Sequence, residues 1–120
     1  MYLNNGSTDP FNDVTGTSIS ADINATFAIA LGDADGDGDL DVFAGNGGVF
    51  GEANRLYLNN GGADPFNGVT GTDITEEAND TRAIALGDVD GDGNLDIITG
   101  NTLNLNGSVA NRLYLSLIHI

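Results

Sequence analysis

The 120-residue, 12.3 kDa chain carries 18 acidic residues against three arginines, for a formal charge of -15, and has neither lysine nor cysteine. That balance excludes nucleic acid and anionic membrane surfaces, because no cationic patch exists to meet phosphate. It also excludes disulfides, zinc-thiolate sites and cysteine nucleophiles.

Gly, Asp and Asn contribute 18, 15 and 15 residues, and all three disfavour helix interiors. Leu, Ile, Val, Phe and Tyr are still plentiful, so a folded core is expected despite the charge. No run approaches the ~18 apolar residues of a membrane span, and no insertion into a membrane is expected.

In chain order, Met1-Tyr2-Leu3 reads as the end of a strand, followed by an Asn-Asn-Gly turn and a weaker strand signal over Phe11–Thr15. Asp22–Thr26 reads as a loop. Phe27, Ile29 and Leu31 then alternate with Ala28 and Ala30, the period-2 pattern of a strand. The small alanines suit a strand crowded near a central axis. After an aspartate cluster, Leu40, Val42 and Ala44 alternate again, and Leu56-Tyr57-Leu58 forms a third strand before a second Asn-Asn-Gly turn. Phe66–Thr70 gives a fourth, weaker strand, and Thr75–Thr81 a loop.

The chain then repeats itself. Residues 1–46 align without gaps on 56–101, with 30 identities at a period of 55. Asn54–Leu58 (NRLYL) returns at 111–115. Four short antiparallel strands per repeat is the arithmetic of a propeller blade; a solenoid or sandwich is the competing architecture. On this reading the chain starts and ends inside a repeat. Residues 1–24 are the end of one blade, 25–72 a complete blade and 73–115 the start of the next. Residues 116–120, which include the single histidine His119, do not continue the pattern and read as a non-repeat tail.

The aspartates carry the chemistry. The first cluster is Asp33-Ala-Asp35-Gly-Asp37-Gly-Asp39-Leu-Asp41, and the second is Asp88-Val-Asp90-Gly-Asp92-Gly-Asn94-Leu-Asp96. Side-chain oxygens at positions 1, 3, 5 and 9 suit calcium, a hard cation that takes six to eight oxygens. Gly38 and Gly93 permit the tight curl that converges them. Position 7, Asp39 or Asn94, would offer its backbone carbonyl. A solvated acidic turn is the competing reading. The loop is not an EF-hand: position 12 is Ala44 or Thr99 rather than glutamate, and the flanks are strands.

The run AIALGDVDGDGNLDIITGN, followed by NRLYLNNGG in the preceding copy, resembles the FG-GAP/VCBS family of repeats, the calcium-stabilised propeller blades also found in integrin α chains. The resemblance covers nearly all of residues 1–115. It implies an all-β, partial β-propeller with about two four-stranded blades' worth of strands. It further implies two Ca2+ sites, one held by Asp33, Asp35, Asp37, Asp39 and Asp41, the other by Asp88, Asp90, Asp92, Asn94 and Asp96. Gly45-Asn46 and Gly100-Asn101 replace the Gly-Ala-Pro of the integrin type, which resembles a prokaryotic variety.

The expected role is an extracellular or cell-surface structural or adhesive module, a fragment of a longer secreted protein. Its partners would be further blades of the same parent chain and a protein or glycan ligand. The ligand is placed at the variable loops around Phe50, Glu52, Leu103 and Leu105, since variable loops on a rigid scaffold carry recognition. An accessory domain of a polysaccharide-degrading enzyme is the alternative. No catalytic residues are expected, because a Ser-His-Asp arrangement has only His119 to draw on. Arg55 and Arg112 are expected to pair with nearby acids.

Overall fold

The computed structural model describes residues 1–102 and 110–116. Leu103, Leu105 and His119 lie outside the described residues. The described residues form six strands and no helix: β1 (Thr26–Gly32), β2 (Asp41–Asn46), β3 (Glu52–Tyr57), β4 (Thr72–Gly87), β5 (Asp96–Thr102) and β6 (Arg112–Tyr114). Each pairs with its neighbour in sequence, antiparallel, in the order β1-β2-β3-β4-β5-β6. The all-β, partial-propeller architecture follows: β1–β3 and the first half of β4 make one blade, and the second half of β4 with β5 and β6 begins the next.

The fourth strand is not where the sequence pattern placed it. Phe66–Val69 is a turn, closed by a hydrogen bond from Val69 N to Phe66 O (3.1 Å). The fourth strand is instead the first half of β4, where Thr72 pairs with Leu56 and Asn79 with Glu52. Thr75–Thr81, expected as a loop, lies inside that 16-residue strand. Its residues are mostly polar: Ala78 and Asn79 pair with β3, Asp80 and Thr81 pair with β5, and Thr75–Glu77 span a register shift, so pairing rather than hydrophobic alternation decides the conformation.

Residues 1–24 keep the repeat's pairing at one point. Met1 N donates to Thr17 O (2.6 Å) and Thr17 N to Met1 O (2.8 Å), the position equivalent to Leu56 and Thr72. The Asn-Asn-Gly turns also coincide. Asn5 N bonds Pro10 O and Asn60 N bonds Pro65 O, each at 2.8 Å. Met1, Ile19 and Val69 pack onto a core of Val42, Ala44, Tyr57 and Phe66. Arg55 of β3 ties the N-terminal segment to β4, pairing with Asp22 (3.2 Å) of the first and with Asp73 of the second. Tyr57 Oη donates to Asp22 (2.8 Å), and burial pushes its phenol up from the ordinary value. Arg112 pairs with Glu77 (3.3 Å).

The two blades pack face to face, with β1 and β2 lying against β4. Gly45 makes the close approach possible. A Cβ there would sit 2.9 Å from Thr81 Cγ2 and 3.0 Å from Ile84 Cδ1. At the equivalent Gly100 the nearest atom among the described residues would be Ala83 Cβ at 3.4 Å, an ordinary contact. Gly45→Ala is therefore expected to cost about 1–3 kcal/mol by overpacking, while Gly100→Ala stays within about 0.5 kcal/mol. Urea unfolding of the two variants checks this.

Asp80 reinforces the contact from the second blade. Its carboxylate accepts from Gly48 N (3.1 Å) in the first blade and from Arg82 and Thr102 (both 2.8 Å) in its own. The hydrogen bond from Arg82, then that from Thr102, holds its pKa below the ordinary value. Arg82 also stacks over the Phe27 ring of β1, 3.7 Å from the centroid, a cation–π contact.

Candidate metal centre

Each aspartate loop closes a hairpin, Gly32 pairing Asp41 in the first and Gly87 pairing Asp96 in the second. The first aspartate organises the curl. Asp33 accepts from Gly36 N (2.7 Å) and Gly38 N (2.9 Å), and Asp88 from Gly91 N (2.8 Å) and Gly93 N (2.9 Å). These amides reach one carboxylate because the glycines adopt left-handed φ: 78° and 92° in the first loop, 78° and 90° in the second. Residues with a side chain rarely adopt such angles.

The result is a close group of acids in both loops. One carboxylate oxygen each from Asp33, Asp35 and Asp37 lie within 4.8 Å of one another, as do one each from Asp88, Asp90 and Asp96. Asp41 is outside the first trio and Asp92 outside the second. Asp39 N donates to Asp37 (2.9 Å) and Asn94 N to Asp92 (2.8 Å), at the loop exits. Between the two loops runs a cleft lined by Asp33, Gly36, Asp88 and Asn94, so both acid groups open along one edge of the molecule.

The electrostatics are those of a site short of positive charge. Desolvation pushes the Asp35 carboxyl above its ordinary 3.8, and the charges of Asp37 and Asp41 add to it, against a hydrogen bond from the Asp37 amide. Asp90 is raised by desolvation in the same way, with Asp92 and Asp96 as the repelling neighbours. Like charges held together disfavour ionisation, and a cation among them reverses that. An all-oxygen donor set with no nitrogen or sulfur fits a hard divalent cation and no softer metal.

Asp41 and Asp96 do a second job that spacing alone does not reveal. Both are fully buried. Asp41 accepts from Ala34 N (2.7 Å) inside the loop and from Asn59 N (2.8 Å) at the end of β3. Asp96 accepts from Val89 N (2.8 Å) and Ser116 N (2.9 Å). Ser116 departs from the repeat in side chain, yet its backbone N–H takes the place of Asn59 N–H. The loop is thereby tied to the third strand of its own blade.

An asparagine latch closes the opposite end of each blade. Asn46 N donates to Asn54 Oδ1, Asn46 Nδ2 to Ala53 O and Thr26 Oγ1 to Asn46 Oδ1, at 2.9, 2.9 and 2.7 Å. Asn101, with Asn111, Ala110 and Thr81, repeats it at 3.0, 2.9 and 2.9 Å. The signal available in the sequence was that both asparagines recur unchanged between copies. Glu52, expected among ligand-contacting residues, accepts a hydrogen bond from Ala25 N (2.9 Å) and so braces the entry to β1.

Residues 42–99, from β2 through the second loop to β5, match the FG-GAP-like repeat. That stretch, just under half of the chain, is similar to an FG-GAP-like repeat. No curated protein and no solved structure matches the chain. The first loop lies just before the matched stretch, and the 55-residue period makes it equivalent to the loop inside the FG-GAP-like repeat. The match and the all-antiparallel strand order fit a β-propeller-type repeat.

Proposed function

We propose that the chain is a calcium-binding propeller module, one Ca2+ per aspartate loop, working as a non-catalytic structural or adhesive scaffold outside the cell. The carrying observation is the convergence of three carboxylates in each of two loops that share the same glycine angles. Asp33, Asp35 and Asp37 would hold one ion and Asp88, Asp90 and Asp96 the other. Asp41 and Asp92 complete the sets by their place in the loops, and the carbonyls of Asp39 and Asn94 add oxygens. The ions would neutralise charge that the fold brings together.

The extracellular setting rests on calcium itself, since millimolar levels keep such sites filled. A protein or glycan would dock at the edge opposite the loops, where Val49 and Phe50 stand exposed between β2 and β3. Isothermal titration tests the metal reading. Calcium should bind with a stoichiometry of two per chain, and magnesium, which demands octahedral geometry and gives up water reluctantly, far more weakly. The absence of any binding heat with millimolar calcium would sink it.

A further inference from the structure

Asparagine is chemically labile, most of all before glycine, whose amide can attack the preceding side chain with no Cβ in the way. The chain has five such pairs: Asn5–Gly6, Asn46–Gly47, Asn60–Gly61, Asn67–Gly68 and Asn106–Gly107. The last lies outside the described residues. Attack needs a glycine N–H free to lose its proton and an asparagine side chain free to turn towards it. Three of the four described pairs fail on both counts.

Gly47 N donates to Ala25 O (3.0 Å), and Asn46 is buried in its latch with both ends of the side-chain amide bonded. In the two Asn-Asn-Gly turns the first asparagine guards the second. Gly6 N donates to Asn4 Oδ1 (2.7 Å) and Gly61 N to Asn59 Oδ1 (2.8 Å). The Asn5 side chain accepts from Ser7 N and donates to Asn12 O, and that of Asn60 accepts from Gly62 N and donates to Asn67 O. At the fourth pair, Asn67 and Gly68 are both exposed. Neither the Asn67 side-chain amide nor Gly68 N has a partner among the described residues. A Cβ on Gly68 would meet nothing within 4 Å, so water and hydroxide reach the backbone there. Backbone angle does not set the pair apart, since φ is 73° at Gly68, 74° at Gly61 and 76° at Gly6. In the first copy Asp13 stands in place of Gly68, and Asn12 Nδ2 donates to its carboxylate (3.2 Å).

We propose that Asn67 is a self-modification site, at which the folded chain converts its own side chain to aspartate and isoaspartate ahead of every other described Asn-Gly pair. Hydroxide takes the Gly68 N–H proton. The nitrogen bonds to Asn67 Cγ, the Cγ–Nδ2 bond breaks, and Nδ2 leaves as ammonia with a proton from water. The five-membered imide then takes up one water. Opening at Cγ gives aspartate, and opening at the main-chain carbonyl gives isoaspartate, whose backbone runs through Cβ and Cγ. No metal, enzyme or oxidant takes part. The location decides the consequence. Asn67 lies inside the turn that sets Phe66 and Val69 against the core of Val42 and Tyr57. Isoaspartate adds one backbone carbon between those two plugs and loosens the turn that joins them. Either product adds a negative charge to a chain already at -15.

Incubation of the whole folded chain in calcium at mildly alkaline pH is the test, with circular dichroism verifying its strand content. Trypsin cuts after Arg55 and Arg82, and fragmentation of the 56–82 peptide in a mass spectrometer separates Asn60 from Asn67. Labelling by an isoaspartyl methyltransferase scores the isoaspartate. Asn67 should convert about tenfold faster than Asn5, Asn46 or Asn60, since each of those must first break two or more hydrogen bonds. In concentrated urea the four rates should draw together, because the bonds that separate them are gone. The fraction modified at Asn67 alone, resolved by anion exchange, should melt several degrees below the fresh chain. No conversion at Asn67, or equal conversion at another of the four pairs in the folded chain, would overturn the assignment. So would a tenfold preference that survives in urea, which would place its cause in the sequence. A modified fraction that melts with the fresh chain would overturn the loosening of the turn.

Discussion

Chelating calcium is expected to lower the melting midpoint of the folded chain by about 20 °C relative to 1 mM calcium. For a site with Kd near 10 μM, binding at that concentration adds about 2.7 kcal/mol, or about 5 kcal/mol for two sites. The whole stability of a domain is about 5–15 kcal/mol, so this share is large. At this chain length each kcal/mol moves the midpoint by roughly 4 °C. The structural reason is local. The loops hold few apolar contacts, and three carboxylates within 4.8 Å oppose the curl that the glycines allow. Thermal melts with EGTA and with calcium, followed by circular dichroism, measure the shift. A midpoint that moves less than 2 °C would falsify a structural role for the ion. Magnesium in place of calcium should restore little of the loss.

Removing Asp41 should be more damaging than removing any other aspartate of the first loop, and the damage should persist in chelator. Asp41→Ala leaves two partly buried N–H groups, those of Ala34 and Asn59, without their acceptor. Charge-assisted hydrogen bonds of this kind contribute about 1.5–3 kcal/mol each, and both are partly exposed, giving an expected loss of about 3 kcal/mol, the low end of the sum. Asp37, in contrast, is exposed, and the backbone group it accepts from is Asp39 N (2.9 Å), within the loop. Asp37→Ala should therefore lose the calcium-dependent increment and little else, becoming nearly indistinguishable from the native chain once EGTA is added. Urea unfolding in calcium and in EGTA separates the two behaviours. Equal destabilisation of both variants in EGTA would show that the tie between loop and third strand contributes nothing of its own.

Much of the fold is legible in the chain because it says the same thing twice. The 55-residue period, the alternation of Phe27–Leu31 and of Leu40–Ala44, and the Asn-Asn-Gly turns each mark an element that the structure forms. The fourth strand escaped because Thr72–Asp80 is mostly polar, with Ile74 and Ala78 four apart rather than alternating, while Phe66-Asn-Gly-Val69 has the composition of a strand. Its Phe66 and Val69 are plugs from a turn into the core formed with Val42 and Tyr57. Long-range pairing with β3 decides the matter, and local composition does not encode it.

At the candidate site, the spacing of Asp33, Asp35 and Asp37 shows directly which carboxylates share a loop. The anchoring role of Asp41 was not legible, since Asn59 arrives from 18 residues away. Asp80 was hidden for another reason. Its equivalent in the first copy is Ala25, so the repeat itself gives no hint that this acid clasps the neighbouring blade.

β4 serves two sheets, pairing with β3 over its first half and with β5 over its second. The repeat unit of the sequence and the cooperative unit of folding therefore do not coincide. In most repeat arrays stability divides into a term for each unit and a term for each junction. Here the junction runs through the middle of one continuous strand, so a unit that frays pulls backbone partners away from its neighbour. The two blades should open as one block in hydrogen exchange, and a boundary drawn by counting 55 residues is a poor place to cut the gene.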